Sequence, residues 1–289
     1  MVNFRMGART LYQWARAQRS RVRAAKPVDV AATHQALANL RPDLDLLRDT
    51  VGKDGIAIVP GYWSADRCAQ AVDEMDRLLM EFPHAVQTYS AGADKRMFGV
   101  ESASALLNQF HADSFLRRFG EMICGLDIYN FATLGARIEA MPGNFGSGEG
   151  WHRDAQGFQF KAILYLTDTG PQNGPFEYLI GSHTIWRAAA DSMVADFSDP
   201  CQTRFTDAEM MRLQERHFEL RAFAGKAGTL LLANTAGIHR GMPLKTGARY
   251  TLTNYYYHRS EIDVARIQKF TPLVPGTAER ILADLPALH

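Results

Sequence analysis

The sequence predicts a mainly β protein, a double-stranded β-helix of the jelly-roll or cupin-like type, buttressed by N-terminal helices and interrupted by a helical insertion. Three observations predict it. Helical periodicity and capping signals run up to Gly125. From Tyr129 the texture changes to short apolar stretches broken by Gly and Pro, and the residues suited to holding a metal fall in that second half. The mouth of such a barrel accommodates a metal and a small ligand. With 289 residues, 46% hydrophobic and 22% charged, the chain can bury one large core.

Residues 1–27 form a distinct basic segment. Arg5, Arg9, Arg16, Arg19, Arg21, Arg23 and Lys26 give +7 with no acid, against −6 for the remainder and +1 overall. Interleaved Phe4, Leu11, Tyr12, Trp14 and Val22 make a basic amphipathic helix. Two uses compete for it: one face packed on the domain, or contact with an anionic membrane surface; a cleaved transit peptide has the same composition. Residues 28–289 read as a single domain with a helical part at 28–125, strands at 126–260 and a tail at 261–289. Within the helical part, Val30 to Thr50 is Ala/Leu-rich and interrupted by Pro42. A short strand, Ile56 to Val59, precedes Pro60-Gly61. Ser64 caps a helix from Ala65 to Glu81, stopped by Pro83, and 102–123 reads as one amphipathic helix. Strands are expected over 129–140, 158–166, 176–180, 219–224, 228–233 and 249–258, with 184–217 as the helical insertion. There is no apolar run of about 18 residues and no compact secretory signal. Cys68, Cys124 and Cys201 are too scattered for a thiolate metal site and fit a reduced, cytoplasmic setting, with 1–27 available for peripheral membrane contact. An acidic body without a recognition module argues against nucleic acid.

The candidate chemistry lies in His152-Arg153-Asp154 and in His239, 87 residues later. Two imidazoles and one carboxylate hold iron(II) on one face and leave other positions open. Arg249, ten residues beyond His239, suits the forked grip that a dicarboxylate cosubstrate needs, and Thr251 shares its strand face. A His-x-Asp tripeptide is expected about 0.6 times by chance at this composition, so alone it carries little. His111-Ala112-Asp113 is a second copy. It falls in the expected 102–123 helix, where residues two apart project about 200° from each other and one metal cannot take both. His152-Arg153-Asp154 instead follows a Gly-rich loop and enters extended chain, where alternate residues share a face. His217-Phe218-Glu219 is a further competitor without a third ligand nearby. His239 follows an apolar strand through a turn that places it at a barrel rim, and an inward Arg249 requires an anion. Lys161 and Tyr165 share a strand face with Ile163 and can reach the cosubstrate or the substrate, with outward exposure the alternative for Lys161. Arg137, Glu139, Gln156 and Asn234 are candidate pocket residues. Met97, Phe98 and 184–217 are a candidate lid or a packed appendage. His183 reads as turn-stabilising and Trp151 as packing.

These residues resemble the phytanoyl-CoA dioxygenase family of iron(II)/2-oxoglutarate oxygenases. The likeness runs through Trp151-His152-Arg153-Asp154, Phe160 to Asp168, Asn173-Gly174-Pro175-Phe176, Gly181-Ser182-His183, Gly237-Ile238-His239-Arg240-Gly241 and Arg249-Tyr250-Thr251, about 120 residues in order. Ile180 stands where the family has proline. The resemblance implies iron(II) held by His152, Asp154 and His239. It implies 2-oxoglutarate held by Arg249 with help from Thr251, dioxygen as the oxidant, and release of succinate and CO₂. The presence of Asp154 favours hydroxylation over halogenation, on a small or lipid-tethered substrate. The alternatives are a cupin-type isomerase, a dioxygenase independent of 2-oxoglutarate, and a non-catalytic binding protein that keeps the barrel.

Overall fold

In a computed structural model, which describes residues 3–195, 197, 199–216, 219–267 and 273–285, helices lead and strands follow. In chain order these are α1 Phe4–Ala24, α2 Val30–Ala38, α3 Leu44–Asp54, β1 Ile56–Val59, α4 Ala65–Glu81, β2 Gln87–Tyr89, β3 Asp94–Phe98, α5 Ala105–His111, α6 Ser114–Cys124, β4 Tyr129–Glu139, β5 Trp151–His152 and β6 Phe160–Tyr165. There follow β7 Phe176–Leu179, α7 Ile185–Val194, β8 Arg204–Phe205, α8 Asp207–Gln214, β9 Leu220–Phe223, β10 Leu230–Asn234, β11 His239–Gly241, β12 Ala248–Tyr257, α9 Val264–Ile267 and α10 Thr277–Asp284.

The strands make two antiparallel sheets, ordered β1-β10-β6-β12-β4-β3-β2 and β8-β5-β11-β7-β9. Residues of both, including Ile163, Leu231, Phe176 and Phe223, pack together between them. This is the jelly roll expected, although the sheets do not close into a barrel. Period-2 alternation assigns each side chain to a layer. Along β6, Phe160, Ala162 and Leu164 face the helices, while Lys161, Ile163 and Tyr165 face the second sheet. Along β10, Leu230 and Leu232 go outward, Leu231 and Ala233 inward. Strands buried on both faces read as continuous apolar runs for this reason. The outer core joins that face of the large sheet to α3, α4, α5 and α6 through Leu47, Met75, Phe110 and Phe119. Gly135 lets α4 approach, since a Cβ there would run into the Met75 side chain.

Local sequence decides the element ends. Ser64 accepts from Arg67 N at the start of α4, as expected. The helix expected over 102–123 is two: Asp113 breaks it, leaving the helical path to cap α6 by accepting from Phe115 N. A capping side chain in place of a helical interior residue removes the projection argument against His111 and Asp113, and their actual bonds replace it below. The part expected to be helical also supplies β2 and β3, whose three and five mostly polar residues give no apolar signal. The expected helical insertion is broken by β8, which joins the smaller sheet beside β5. Helix α1 packs one face on α7. Gly7 abuts Met193, Thr10 donates to Ser192 Oγ, and Trp14 is buried with Ala188 and Ala236. No helix among the described residues is long and apolar enough to cross a membrane.

Candidate active site

The pairing of β5 with β11 sets His152 directly opposite His239, their rings 4.3 Å apart between centroids. Asp154 follows on an extended segment whose backbone N–H donates to Thr235 O. Its Oδ1 lies 3.8 Å from His152 Nε2 and its Oδ2 3.5 Å from His239 Nε2. A donor atom from each of the three falls within 4.8 Å of the others, the one such group of three or more among the described residues. Each ring's Nδ1 lies 2.9 Å from a carbonyl, Gly150 O for His152 and Gly237 O for His239. An Nδ1–H donated there fixes the tautomer and turns an Nε2 lone pair toward Asp154. Gly148, at φ +85°, closes the loop against His152, and a Cβ there would collide with the imidazole.

Burial, then the neighbouring ring, pushes His239 down to about 3, and burial also lowers His152, so both are neutral rings able to bind a cation. Burial alone would raise the Asp154 carboxyl, but Lys161, His239 and His152 together hold it well below the usual carboxylate range. Lys161 Nζ sits 2.7 Å from Asp154 Oδ2 and 4.1 Å from the centre of the Tyr255 ring. Burial opposes its charge, but Asp154 raises it above an ordinary lysine.

The register of β12 on β6 sets Thr251 beside Tyr165, Thr253 beside Ile163 and Tyr255 beside Lys161, so all six line one cleft of about 180 Å³ with the two histidines. Arg249 enters the same cleft at 3% exposure, and its Nε and Nη1 are buried without a hydrogen-bond partner. An arginine so placed is costly until an anion reaches it. The Tyr165 hydroxyl is committed elsewhere, donating to Phe223 O and accepting from Phe176 N, and its ring forms cleft wall.

Other candidates lie elsewhere. Arg137 and Glu139 are corrected: their strand face points away from the cleft, where Arg137 pairs with Asp76 and Glu139. Asn234 organises its turn by accepting from Gln159 N and Ala236 N. Gln156 does not line the cleft. Met97 belongs to the outer core and Phe98 packs on Tyr255, so neither forms a lid. His183 bonds to Gly52 O, and Trp151 is buried among Phe205, Met210 and Leu213. His111 bonds to Thr133, and Asp113 accepts from Tyr62. Both line a larger surface cavity of about 340 Å³ near α10, but among the described residues no third ligand converges there. In the competitor His217-Phe218-Glu219, His217 and Phe218 lie outside the described residues. Sequence reasoning missed Arg96 and Arg204, which also line the cleft. Both sit on short charged strands, so only the sheet register reveals them.

Residues 51–250 match the model of the phytanoyl-CoA dioxygenase (PhyH) family. An ectoine dioxygenase of Nocardia farcinica is 22% identical over 209 residues, covering 66% of this chain and 69% of that one. Among solved structures, the epimerase SnoN in complex with Fe³⁺, α-ketoglutarate and nogalamycin RO superposes with TM-score 0.59 at 18% identity, over 75% of this chain and 84% of that one. The α-ketoglutarate-dependent carbocyclase SnoK from nogalamycin biosynthesis superposes with TM-score 0.58 at 14% identity, over 80% and 92%.

Proposed function

The chain belongs to the phytanoyl-CoA dioxygenase family, and from that premise we propose that it is an iron(II)- and 2-oxoglutarate-dependent oxygenase that hydroxylates a small or lipid-linked organic molecule. The observation that carries the reading is Arg249: two buried nitrogens without a hydrogen-bond partner, in the same cleft as a His-Asp-His cluster whose donor atoms converge within 4.8 Å. Those atoms ask for a cation and an anion together, as a metal with a dicarboxylate cosubstrate would supply.

In this reading His152, His239 and Asp154 hold the iron, and Arg249 takes the distal carboxylate with Thr251 beside it. The bound iron, 2-oxoglutarate and dioxygen supply the oxidation, with succinate and CO₂ released. The chain's own residues do the positioning. Lys161, 2.7 Å from Asp154 Oδ2, holds that carboxylate ionised and oriented toward the two rings. Gly150 O and Gly237 O hold the two rings in one tautomer. Ile163, Phe176 and the Tyr165 ring keep the cleft wall apolar. The ectoine dioxygenase and SnoN likenesses support this cofactor pair. They leave epimerisation and ring closure as alternative outcomes of the same centre, to be separated by product analysis.

The test is release of CO₂ from carboxyl-labelled 2-oxoglutarate. Arg249→Ala removes a charge-assisted fork, and the 2-oxoglutarate concentration for half-maximal turnover should rise about tenfold to a hundredfold. An unchanged requirement would remove Arg249 from the cosubstrate site.

For partners, the outward face of α1 supports contact with an anionic membrane surface. Arg5, Tyr12, Arg16, Arg19 and Arg23 are exposed opposite the packed residues Gly7, Thr10 and Trp14. Co-sedimentation should favour vesicles containing phosphatidylglycerol over neutral ones and drop when the four arginines become Gln. Equal binding to both vesicles would exclude this contact.

A further inference from the structure

The cleft carries more positive charge than its cofactors can neutralise. Four cations line it: Arg96, Lys161, Arg204 and Arg249. Arg96 is held by buried Asp94 at 2.5–3.0 Å, and Lys161 by Asp154 at 2.7 Å. On the oxygenase reading above, divalent iron and doubly charged 2-oxoglutarate cancel, and the histidines bind as neutral rings. With Arg249 taking the distal carboxylate, the cleft stays net positive and Arg204 is the guanidinium left without a carboxylate, in a cleft where low-dielectric walls focus a field of one sign.

The two differ in position. Arg249 is buried, where the cosubstrate needs it. Arg204 is exposed at the rim. Because β8 pairs with β5, it lies directly opposite His152, beside the metal cluster. Its Nη1 donates to Gly148 O, the glycine that backs onto the His152 ring, which fixes one arm of the fork. Among the described residues lining the cleft the carboxylate is Asp154, which Lys161 holds, and Arg204 bonds instead to Gly148 O, so most of its five N–H donors are available.

We propose that the primary substrate carries an anionic group, carboxylate or phosphate, and that Arg204 binds it at the rim beside the metal centre. This rests on the oxygenase reading. A purely structural Arg204, a strut for the Gly148 loop, is the competing role, and Gln can serve as such a strut by donating to the same carbonyl.

The experiment uses four probes of matched ring size: benzoate, phenyl phosphate, benzyl alcohol and benzylamine. Protein is loaded anaerobically with iron(II) and saturating 2-oxoglutarate, and the broadening of each probe's proton resonances by the paramagnetic iron is measured. The anionic probes should broaden and the other two should not, with the stronger of benzoate and phenyl phosphate naming the group. Arg204→Gln should weaken the anionic probes about tenfold to a hundredfold, the loss of a charge-assisted hydrogen bond, and Arg204→Lys should recover part of it. Equal broadening by neutral or cationic probes, no broadening by any probe, or no change in Arg204→Gln overturns the proposal. Saturation-transfer measurements on the metal-free protein repeat the comparison without cofactors. A failure of the oxygenase reading would therefore show as absent iron or 2-oxoglutarate binding while Arg204-dependent anion preference persists.

Discussion

Asp154 and Asp113 stand in the same tripeptide pattern and have different surroundings. Asp154 faces two imidazoles and a lysine; Asp113 caps a helix and accepts from a tyrosine. Asp154→Ala should abolish iron(II) or cobalt(II) binding in a metal titration. Asp113→Ala should leave the metal affinity unchanged and cost about 1 kcal/mol of stability in urea unfolding, as loss of an N-cap does. Equal metal loss in both variants would reverse the assignment. Residue identity made the cluster legible in sequence, because His152, Asp154 and His239 are chemically specific and their spacing fits extended chain. Arg137 misled because alternation fixes that a residue shares a face with its i+2 neighbour but not which face is inward. That choice was set by Asp76 on α4 waiting on the other side.

At the scale of elements, long periodic segments were readable and short ones were not. Helix α4 and strand β1 match expectation to the residue because a serine cap, a proline stop and a glycine turn bound them. Strands β5, β8 and β11 hold two or three residues each, too few for periodicity, and exist because neighbours pair with them. Their pairing also ties α1 to the site. The Arg153 guanidinium, between the two halves of the His-x-Asp pair, lies 5.2 Å from each of the Trp14 and Phe205 rings. Trp14→Ala should therefore destabilise by about 3–5 kcal/mol through the cavity it leaves and also weaken cobalt(II) binding, with Trp14→Phe milder on both. A stability loss with unchanged cobalt(II) affinity and spectrum would show that α1 buttresses the fold without reaching the metal loop.

Across the whole molecule, helices pack on both sheets and several acids are buried outside the cleft, Glu101 among them. Burial pushes its carboxyl up to about 7; one oxygen accepts from Thr133 N and the other has no hydrogen bond. An acid raised on folding contributes stability that is full below its unfolded value and is lost as pH rises through about 7. Glu101→Gln should therefore raise stability at pH 8 by on the order of 2 kcal/mol and change little at pH 4. Parallel pH–stability curves for the two proteins would contradict this. The fold class was legible at this scale because the change of texture near residue 125 spans half the chain. Non-closure of the barrel was not, since it depends on which strand edges meet.

The central claim, that this cleft binds iron(II) and 2-oxoglutarate together, is tested most directly by anaerobic titration of the iron(II)-loaded protein with 2-oxoglutarate, following the weak visible charge-transfer band of the chelate. The account predicts a saturable band in the wild type, displaced to higher 2-oxoglutarate in Arg249→Ala. Bound iron with no band at any concentration would contradict it.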